Sequence, residues 1–306
     1  MNLTRTRTAP NGAGWATRWI QPLAVATLAS NILIVVTGGV VRLTASGLGC
    51  PTWPRCTDES FVPHGELGIH GAIEFGNRMV TFLLAAVAIA TFVTAWKLGR
   101  RSLVRLAFVL GLGVPAQALV GGVTVLSDLN PWIVAFHLLV SLAMIGVSVV
   151  LLRRLREGDG PPVPVVSTPT AWLVRGIFVA GWAVLYVGTV VTGSGPHAGD
   201  LDSPRNGFDP ESVSQLHTDL VFLLLGLTIG AWFALRAAGA PARAQRAVSA
   251  LLGIELAQGM VGFVQYFTNL PVVLVGLHLL GAALVSAALT WLLVSIRERA
   301  HALVSG

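Results

Sequence analysis

The chain reads Gln117-Ala-Leu-Val-Gly-Gly-Val123 and repeats this stretch 141 positions later as Gln258-Gly-Met-Val-Gly-Phe-Val264. Each copy is followed by a histidine 20 residues after its glutamine, His137 in the first copy and His278 in the second. The register is ungapped, which is typical of an internal duplication. The repeat therefore predicts two equivalent helix pairs, each with one histidine. Further identities fall at Leu129/Leu270, Val134/Val275 and Leu138/Leu279.

The composition around the repeat is that of a membrane protein. Hydrophobic residues make up 54% of the 306 and charged residues only 11%, whereas a soluble domain averages about 25% charged residues. Eight apolar runs approach the ~20 residues that span a bilayer as a helix. The sequence therefore predicts an all-α polytopic membrane protein with eight transmembrane helices. The predicted spans are 19–41, 72–96, 104–126, 132–152, 172–192, 213–235, 247–267 and 272–296.

One Pro- and Gly-rich linker, from Gly158 to Pro169, divides the eight predicted helices into two pseudo-symmetric four-helix bundles. Long loops of about 42–71 and 193–212 follow the first helix of each half, which supports the duplication. The predicted organisation is a tail at 1–18, an N-terminal bundle at 19–155, a linker at 156–171, a C-terminal bundle at 172–297 and a tail at 298–306.

The charge distribution predicts the topology. Sixteen of the 20 Lys and Arg residues fall on the side of the predicted tails and linker, and ten of the 14 acidic residues fall on the other side. The positive-inside rule therefore places both termini in the cytoplasm. The net charge of +6 follows from this bias. Without a basic groove interleaved with aromatics, we expect no nucleic-acid partner.

Four histidines, His70, His137, His217 and His278, fall within or next to predicted helices. A buried ionisable group in a membrane helix is a functional-site hypothesis, although a single one also fits a core histidine bonded to a carbonyl. His137 and His278 lie six or seven residues past the proline that opens each helix, about 9–10 Å from its outer end. His217 falls in the same layer. Imidazole pairs inside four-helix bundles ligate heme iron, so His217 and His278 are predicted to clamp one metal.

The first half departs from this symmetry, because alignment places Asn77 where the second half has His217. His70, Glu74, Asn77 and Arg78 share one helix face at i, i+4, i+7 and i+8. One interpretation is a Glu74–Arg78 ion pair at the membrane surface. The other is a carboxylate in proton-transfer duty beside a cofactor, with Arg78 available for a heme propionate.

Cys50 and Cys56 are the two cysteines of the chain and lie on the predicted oxidising side, where a disulfide is plausible. Such a bond would staple the first outer loop or act as a redox-active pair. Glu255 is the other acid in a predicted membrane helix, and a structural hydrogen-bonding role is favoured over proton relay. His64 and His197, in the outer loops, are predicted to be surface residues.

Taken together, these motifs resemble the heme A synthase family over about residues 19–296. The matching segments are Thr37–Arg42, the loop Ser46–Cys56, Ile73–Arg78, Gln117 to His137, Gln215–His217 and Gln258 to His278. Asn77 and the loop Gly195–Asp200 resemble the actinobacterial branch.

The resemblance implies a membrane oxidoreductase that converts heme O into heme A by oxidising the C8 methyl to a formyl through successive hydroxylations. It implies a heme b between His217 and His278, and heme O in the first half with His137 as iron ligand and Glu74 as the catalytic carboxylate. Many relatives have a histidine where this chain has Asn77, so His70 is the expected second ligand, with a five-coordinate iron as the alternative. Asn77 and Arg78 are expected heme contacts.

The resemblance also implies a multi-pass protein of the bacterial cell membrane with its heme sites toward the outer face. Expected partners are heme O and an unidentified electron acceptor. Heme O synthase, oxidase-assembly factors and a second copy of the chain are further candidates. The principal rival hypothesis is a non-enzymatic di-heme b-type electron carrier. Glu74 and Asn77 disfavour it, because a pure carrier would be expected to keep four equivalent histidines.

Overall fold

A computed structural model describes residues 14–299. The predicted tails, 1–18 and 298–306, fall largely outside these residues. Eight helices in the described part of the chain are long and apolar enough to cross a membrane, which confirms the predicted fold class. They are α1 (Gly14–Leu43), α2 (Gly68–Lys97), α3 (Arg101–Leu126), α4 (Pro131–Leu155), α5 (Thr168–Ser194), α6 (Pro210–Ala237), α7 (Ala242–Phe267) and α8 (Val272–Ser295). A 3₁₀ turn, Gly65–Leu67, precedes α2, and β1 (Pro162–Pro164) pairs with β2 (Arg297–Arg299).

Local sequence explains where two of the histidine-bearing helices begin. α4 starts at Pro131, where the missing N–H and fixed φ suit the first helical position, and Asn130 accepts a hydrogen bond from the Trp132 N–H at 3.0 Å. α6 starts in the same way at Pro210, with Asp209 accepting from the Ser212 N–H at 2.8 Å. These caps set the depth at which His137 and His217 enter the bundle.

The eight helices form two closed four-helix bundles related by a pseudo-twofold arrangement. In each half the helices contact one another in ring order, α1–α2–α3–α4 and α5–α6–α7–α8. The halves meet where α4 packs on α8. On either side of this contact, α1 packs on α8 and α5 packs on α4, and these two contacts are equivalent because α1 corresponds to α5 and α4 to α8. Ser286 of α8 donates across this interface to the Leu142 carbonyl oxygen at 2.7 Å.

The two ends of the bundle differ in chemistry. We call the end formed by loops 44–67, 127–130, 195–209 and 268–271 the histidine end, and the end formed by loops 98–100, 156–167 and 238–241 with β2 the basic end. The apolar core of the first bundle is concentrated toward the basic end, around Leu103, Leu110 and Leu151. His137 and Asn77, nearer the histidine end, remain only half-buried. The packing therefore leaves polar groups, and not apolar core, in the layer where the duplication places its histidines.

Candidate functional site

The second half brings His217 of α6 and His278 of α8 face to face. Their ring centroids lie 6.4 Å apart with an interplanar angle of 66°. Both Nδ1 atoms are buried, and His278 Nδ1 has no hydrogen-bond partner within residues 14–299, as is also the case for His137 Nδ1 in the first half. Buried polar atoms are normally satisfied, so these imidazoles call for a partner that the described residues do not supply.

The spacing of this pair fits a single metal ion between the rings. Metal–imidazole bonds of about 2 Å on opposite sides of one iron, plus a ring radius of about 1 Å on each side, place ring centres roughly 6 Å apart. Within residues 14–299 no cluster of three or more His, Cys, Asp or Glu could hold a metal ion. A two-histidine site of this kind fits a metal whose remaining ligands come from a porphyrin, and does not fit a site built from protein ligands alone.

The duplicated glutamines hold the histidine-bearing helices. Gln258 Nε2 donates to the His278 carbonyl oxygen at 2.8 Å, and Gln117 Nε2 donates to that of His137 at 2.9 Å. A Cβ added to the following glycines, Gly262 and Gly121, would lie 3.4 Å from Cε1 of the same histidine. The repeated motif therefore joins α7 to α8 and α3 to α4 through the same glutamine-to-histidine hydrogen bond in each half.

The first half presents a carboxylate in place of a second imidazole. Glu74 is 5% exposed, and its Oε1 lies 2.6 Å from Arg78 Nη2. Its Oε2 accepts from the Cys50 backbone N–H at 2.6 Å. The ion pair allowed by the i, i+4 spacing is thus formed, but it is buried under the first outer loop and not exposed at a surface.

Arg78 fastens that loop to α2. Besides Glu74, its guanidinium donates to the carbonyl oxygens of Thr52 at 3.0 Å and Arg55 at 3.1 Å, with a longer contact of 3.4 Å to Cys50. These partners occupy the N–H donors of Arg78 that a heme propionate would need. The loop carbonyl oxygens would therefore compete with a propionate for Arg78. Cys50 and Cys56 form the predicted disulfide within the same loop.

His70 and Asn77 lie at different depths on α2, two and nine residues from its first residue. His70 is exposed, and its Nδ1 is hydrogen-bonded to Ser46 Oγ at 2.9 Å. Asn77 Oδ1 accepts from the Thr37 hydroxyl at 2.7 Å. Within the described residues, neither side chain makes a hydrogen bond or ring contact with His137.

Trp53 is a residue of this site that the sequence motifs did not single out. Its indole lies against Gly122 of α3, where an added Cβ would be 2.4 Å from the ring. Gly122 directly follows Gly121, which faces His137. The repeat alignment carried a signal for this contact, because the second half has Phe263 at the position of Gly122.

Two other predicted residues lie apart from this site. His197, expected at the surface, is half-buried and donates through Nε2 to the Leu270 carbonyl oxygen at 3.0 Å. Glu255 of α7 accepts from the Thr228 hydroxyl at 3.0 Å, inside the second bundle. This bond agrees with the structural interpretation of Glu255, whereas a proton relay would need further polar partners.

Comparison with known proteins supports the same family. Residues 21–199 match the COX15-CtaA family, described as cytochrome oxidase assembly protein. The chain is 31% identical over 181 residues to a protein named heme A synthase from Lysinibacillus sphaericus, and 30% identical over 182 residues to one from Halalkalibacterium halodurans. These matches cover 57% of this chain and 58–59% of each relative. A heme A synthase of Bacillus mycoides is 26% identical over 292 residues, which is 90% of this chain and 92% of the relative.

Proposed function

The chain belongs to the COX15-CtaA family of cytochrome oxidase assembly proteins, and we propose that it is a heme A synthase, a membrane oxidoreductase that converts heme O into heme A. The proposed reaction oxidises the C8 methyl of heme O to a formyl through two successive hydroxylations and loss of water. The names of the relatives support this activity.

The observation that carries the proposal is the unequal chemistry of two duplicated halves. One half holds two imidazoles 6.4 Å apart, and the other holds a buried carboxylate beside Arg78 with Asn77 in the aligned position. Two redox centres of equal function would be expected to have the same side chains. An electron-transfer site paired with a reaction site needs different side chains in the two halves.

In the C-terminal bundle, His217 and His278 are the residues that would hold a heme b. That group supplies reversible one-electron transfer when bound. The protein's own part is to hold both imidazoles at the spacing of one iron. The Gln258 contact to the His278 backbone keeps α8 in register for this.

In the N-terminal bundle, His137 is the proposed ligand to the substrate heme O, with His70 as the second. Glu74 is the proposed catalytic carboxylate. Arg78 and the Cys50 N–H donate to its two oxygens and fix their orientation. A carboxylate so oriented stabilises positive charge that develops on the reacting methyl carbon and accepts protons released by its oxidation. The first outer loop, packed on α3 through Trp53, covers Glu74.

The remaining assignments are proposals of the same kind. The charge bias supports cytoplasmic termini, and it supports the proposal that the histidine end, with both proposed heme sites, faces the outside of a bacterial cell membrane. The proposed reaction needs an electron acceptor, and it needs heme O delivered from a heme O synthase. Docking with that enzyme or with oxidase-assembly factors, and self-association, are compatible with the exposed apolar helix faces.

Pigment analysis of three variants tests the proposal. Glu74→Gln is expected to keep the low-spin b-type spectrum while heme A formation falls by about 100-fold or more, since acid–base groups contribute on that scale. His278→Ala is expected to lose the b-type signal. Glu255→Gln, which changes the other buried membrane carboxylate, serves as the matched control and is expected to retain heme A formation.

The outcomes separate the two hypotheses. Wild-type heme A formation by Glu74→Gln would refute the catalytic assignment. Purified wild-type protein that carries heme b in both halves, without heme O or heme A, would favour the di-heme carrier.

A further inference from the structure

A cavity of about 280 Å³ lies at the basic end, away from every residue of the heme sites. Its walls carry Arg105 of α3, Arg154 from the last turn of α4, and Arg297 and Arg299 of β2. Arg154 is 17 residues from His137 along α4, which corresponds to about 26 Å of helix. The proposed heme chemistry therefore makes no use of this cavity.

The pairing of β1 with β2 is what positions two of these arginines. Arg297 pairs with Pro164 and Arg299 with Pro162, so the linker between the halves holds the strand in place. Because side chains alternate along a strand, Arg297 and Arg299 share one face. Glu298 points to the other face and forms an ion pair with Arg243 at 3.2 Å.

The nearby acids neutralise the cavity only in part, because each carboxylate forms its ion pair with an arginine outside the cavity. Arg100 pairs with Asp159 at 3.2 Å, and Arg153 pairs with Glu157 at 2.8 Å, besides the Arg243–Glu298 pair. Within residues 14–299 none of the four arginines that line the cavity forms an ion pair. Four positive charges thus converge, and the carboxylates of Asp159 and Glu157 offset them only from a distance.

The four guanidinium groups also have few protein acceptors. Arg154 donates to the Gly158 carbonyl oxygen at 3.3 Å and Arg299 to that of Gly160 at 2.6 Å. The side chains of Arg105 and Arg297 have no hydrogen-bond partner in the described part of the chain. Burial and the neighbouring Arg299 charge lower the pKa of the Arg297 guanidinium. Like charges held together in this way favour an anion that bridges them.

The shape and lining of the cavity indicate which anion. Guanidinium groups recognise phosphate through paired N–H donors. Leu106 and Val150, on the membrane-spanning helices α3 and α4, contribute an apolar wall below the arginines. A ligand with a phosphate above an apolar chain matches this order of charge and hydrocarbon, whereas a free phosphate leaves the apolar wall unused.

We propose that this arginine cavity binds the phosphate headgroup of an anionic phospholipid, with an acyl chain along α3 and α4. Basic pockets between helix ends at the cytoplasmic surface have the charge and the depth for such headgroups. Because Arg105 and Arg154 belong to the first half and Arg297 and Arg299 to the end of the second, the bound lipid joins the two halves at the basic end.

Lipid titration of the purified full-length chain tests this inference. Native mass spectrometry and thermal unfolding are measured after delipidation with added cardiolipin, phosphatidylcholine or inorganic phosphate. Cardiolipin is expected to bind and raise the unfolding midpoint, whereas the other two are not. Arg105→Gln is expected to weaken cardiolipin binding roughly fivefold, and Arg297→Gln with Arg299→Gln roughly 25-fold, from the typical contribution per arginine near a membrane surface.

The control is Lys97→Gln with Arg246→Gln, which removes two exposed charges from the same end outside the cavity. Unchanged cardiolipin binding in this control supports a specific site, and an equal loss would reduce the effect to general surface charge and overturn it. Stabilisation by inorganic phosphate alone would show a free-phosphate site and overturn the lipid assignment. If the double variant does not fold, Arg105→Gln decides, because its guanidinium makes no protein hydrogen bond within residues 14–299. Wild-type affinity in that variant would refute the proposal.

Discussion

Asn77 and His217 occupy aligned positions, and their surroundings differ along with their side chains. A Cβ added at Gly188 of α5 would lie 3.1 Å from the His217 ring, so that glycine makes room for the imidazole. The aligned runs Val36–Gly38 and Val191–Gly193 place Leu33 at the position of Gly188. The first half thus has a leucine where the second half has the glycine that lies against the His217 ring. The asymmetry therefore involves both the first and the second helix of each half. In the first half, Asn77 accepts a hydrogen bond from Thr37 of α1.

The first prediction at this scale concerns the proposed role of His70 as the second ligand to heme O. His70→Ala is expected to weaken bound heme O more than Asn77→Ala does. An imidazole with one nitrogen hydrogen-bonded, as Nδ1 is to Ser46, is a typical metal ligand. The Asn77 amide oxygen already accepts from Thr37. The measurement is the heme O content and absorption spectrum of each purified variant.

Ser46→Ala is the companion variant, since it removes the partner of His70 and leaves the imidazole. It is expected to shift the heme O spectrum without abolishing binding. A larger loss of heme O in Asn77→Ala than in His70→Ala would show that the outer histidine is not the ligand.

At the scale of the element, the first outer loop packs tightly on the first bundle, because its backbone at Gly49 contacts the backbone of α2 at His70. A Cβ added at Gly49 would lie 2.3 Å from the His70 carbonyl oxygen, so only glycine permits the loop to approach α2 this closely. That approach brings the Cys50 N–H to Glu74. On the other side of the loop, Trp53 packs on α3 at Gly122. The loop thereby spans the first bundle from α2 to α3.

The second prediction concerns this contact. Gly122→Leu is expected to displace Trp53 and lower heme A formation while the b-type spectrum of the second half stays intact, because the clash lies in the first bundle. Gly111→Leu is the matched control on the same helix, since an added Cβ there meets nothing within 4 Å. The measurement is heme A formed per b-type heme. An equal effect of both variants would mean that the loss comes from α3 itself and not from the loop.

At the scale of the whole molecule, three sets of contacts hold the two halves together. In the middle, α4 packs on α8 with Gly146 against Thr290. At the histidine end, Arg42 donates to the carbonyl oxygens of His197 at 2.6 Å and Thr192 at 2.9 Å. At the basic end, β1 pairs with β2. The halves are thus packed as one body, which suits the proposed electron transfer from one proposed heme site to the other.

The third prediction tests the central contact. Gly146→Leu is expected to cost about 1–3 kcal/mol of stability, the usual range for overpacking, because an added Cβ would lie 2.8 Å from Thr290 Oγ1. The measurement is the thermal unfolding midpoint of the detergent-purified protein. Gly253→Leu, on an open face of α7, is expected to change it little. Equal midpoints for the two variants would contradict the close packing of α4 on α8.

The sequence by itself determined the eight spans, the duplication and the disulfide. These features depend on the length of apolar runs, on internal repetition and on two cysteines six positions apart. All three can be recognised in the sequence without knowing how the helices pack. It also predicted the layer shared by His217 and His278, because helical rise converts residue number into depth. The predicted spans fell short of the helices: α1 runs from Gly14 to Leu43 and not from 19 to 41, since polar ends continue the helix beyond its apolar run.

Only the tertiary structure decided which groups meet across the chain. The Cys50 N–H on Glu74, Trp53 on Gly122 and the four arginines around one cavity join segments whose relation depends on loop paths and strand pairing. The repeated glutamine-to-histidine stretch therefore establishes two like bundles. Their difference in chemistry begins in the sequence, with Asn77 in the position of His217, and the first outer loop adds to it by packing on Glu74. That contact could not be predicted, because loop packing has no periodic signal in sequence.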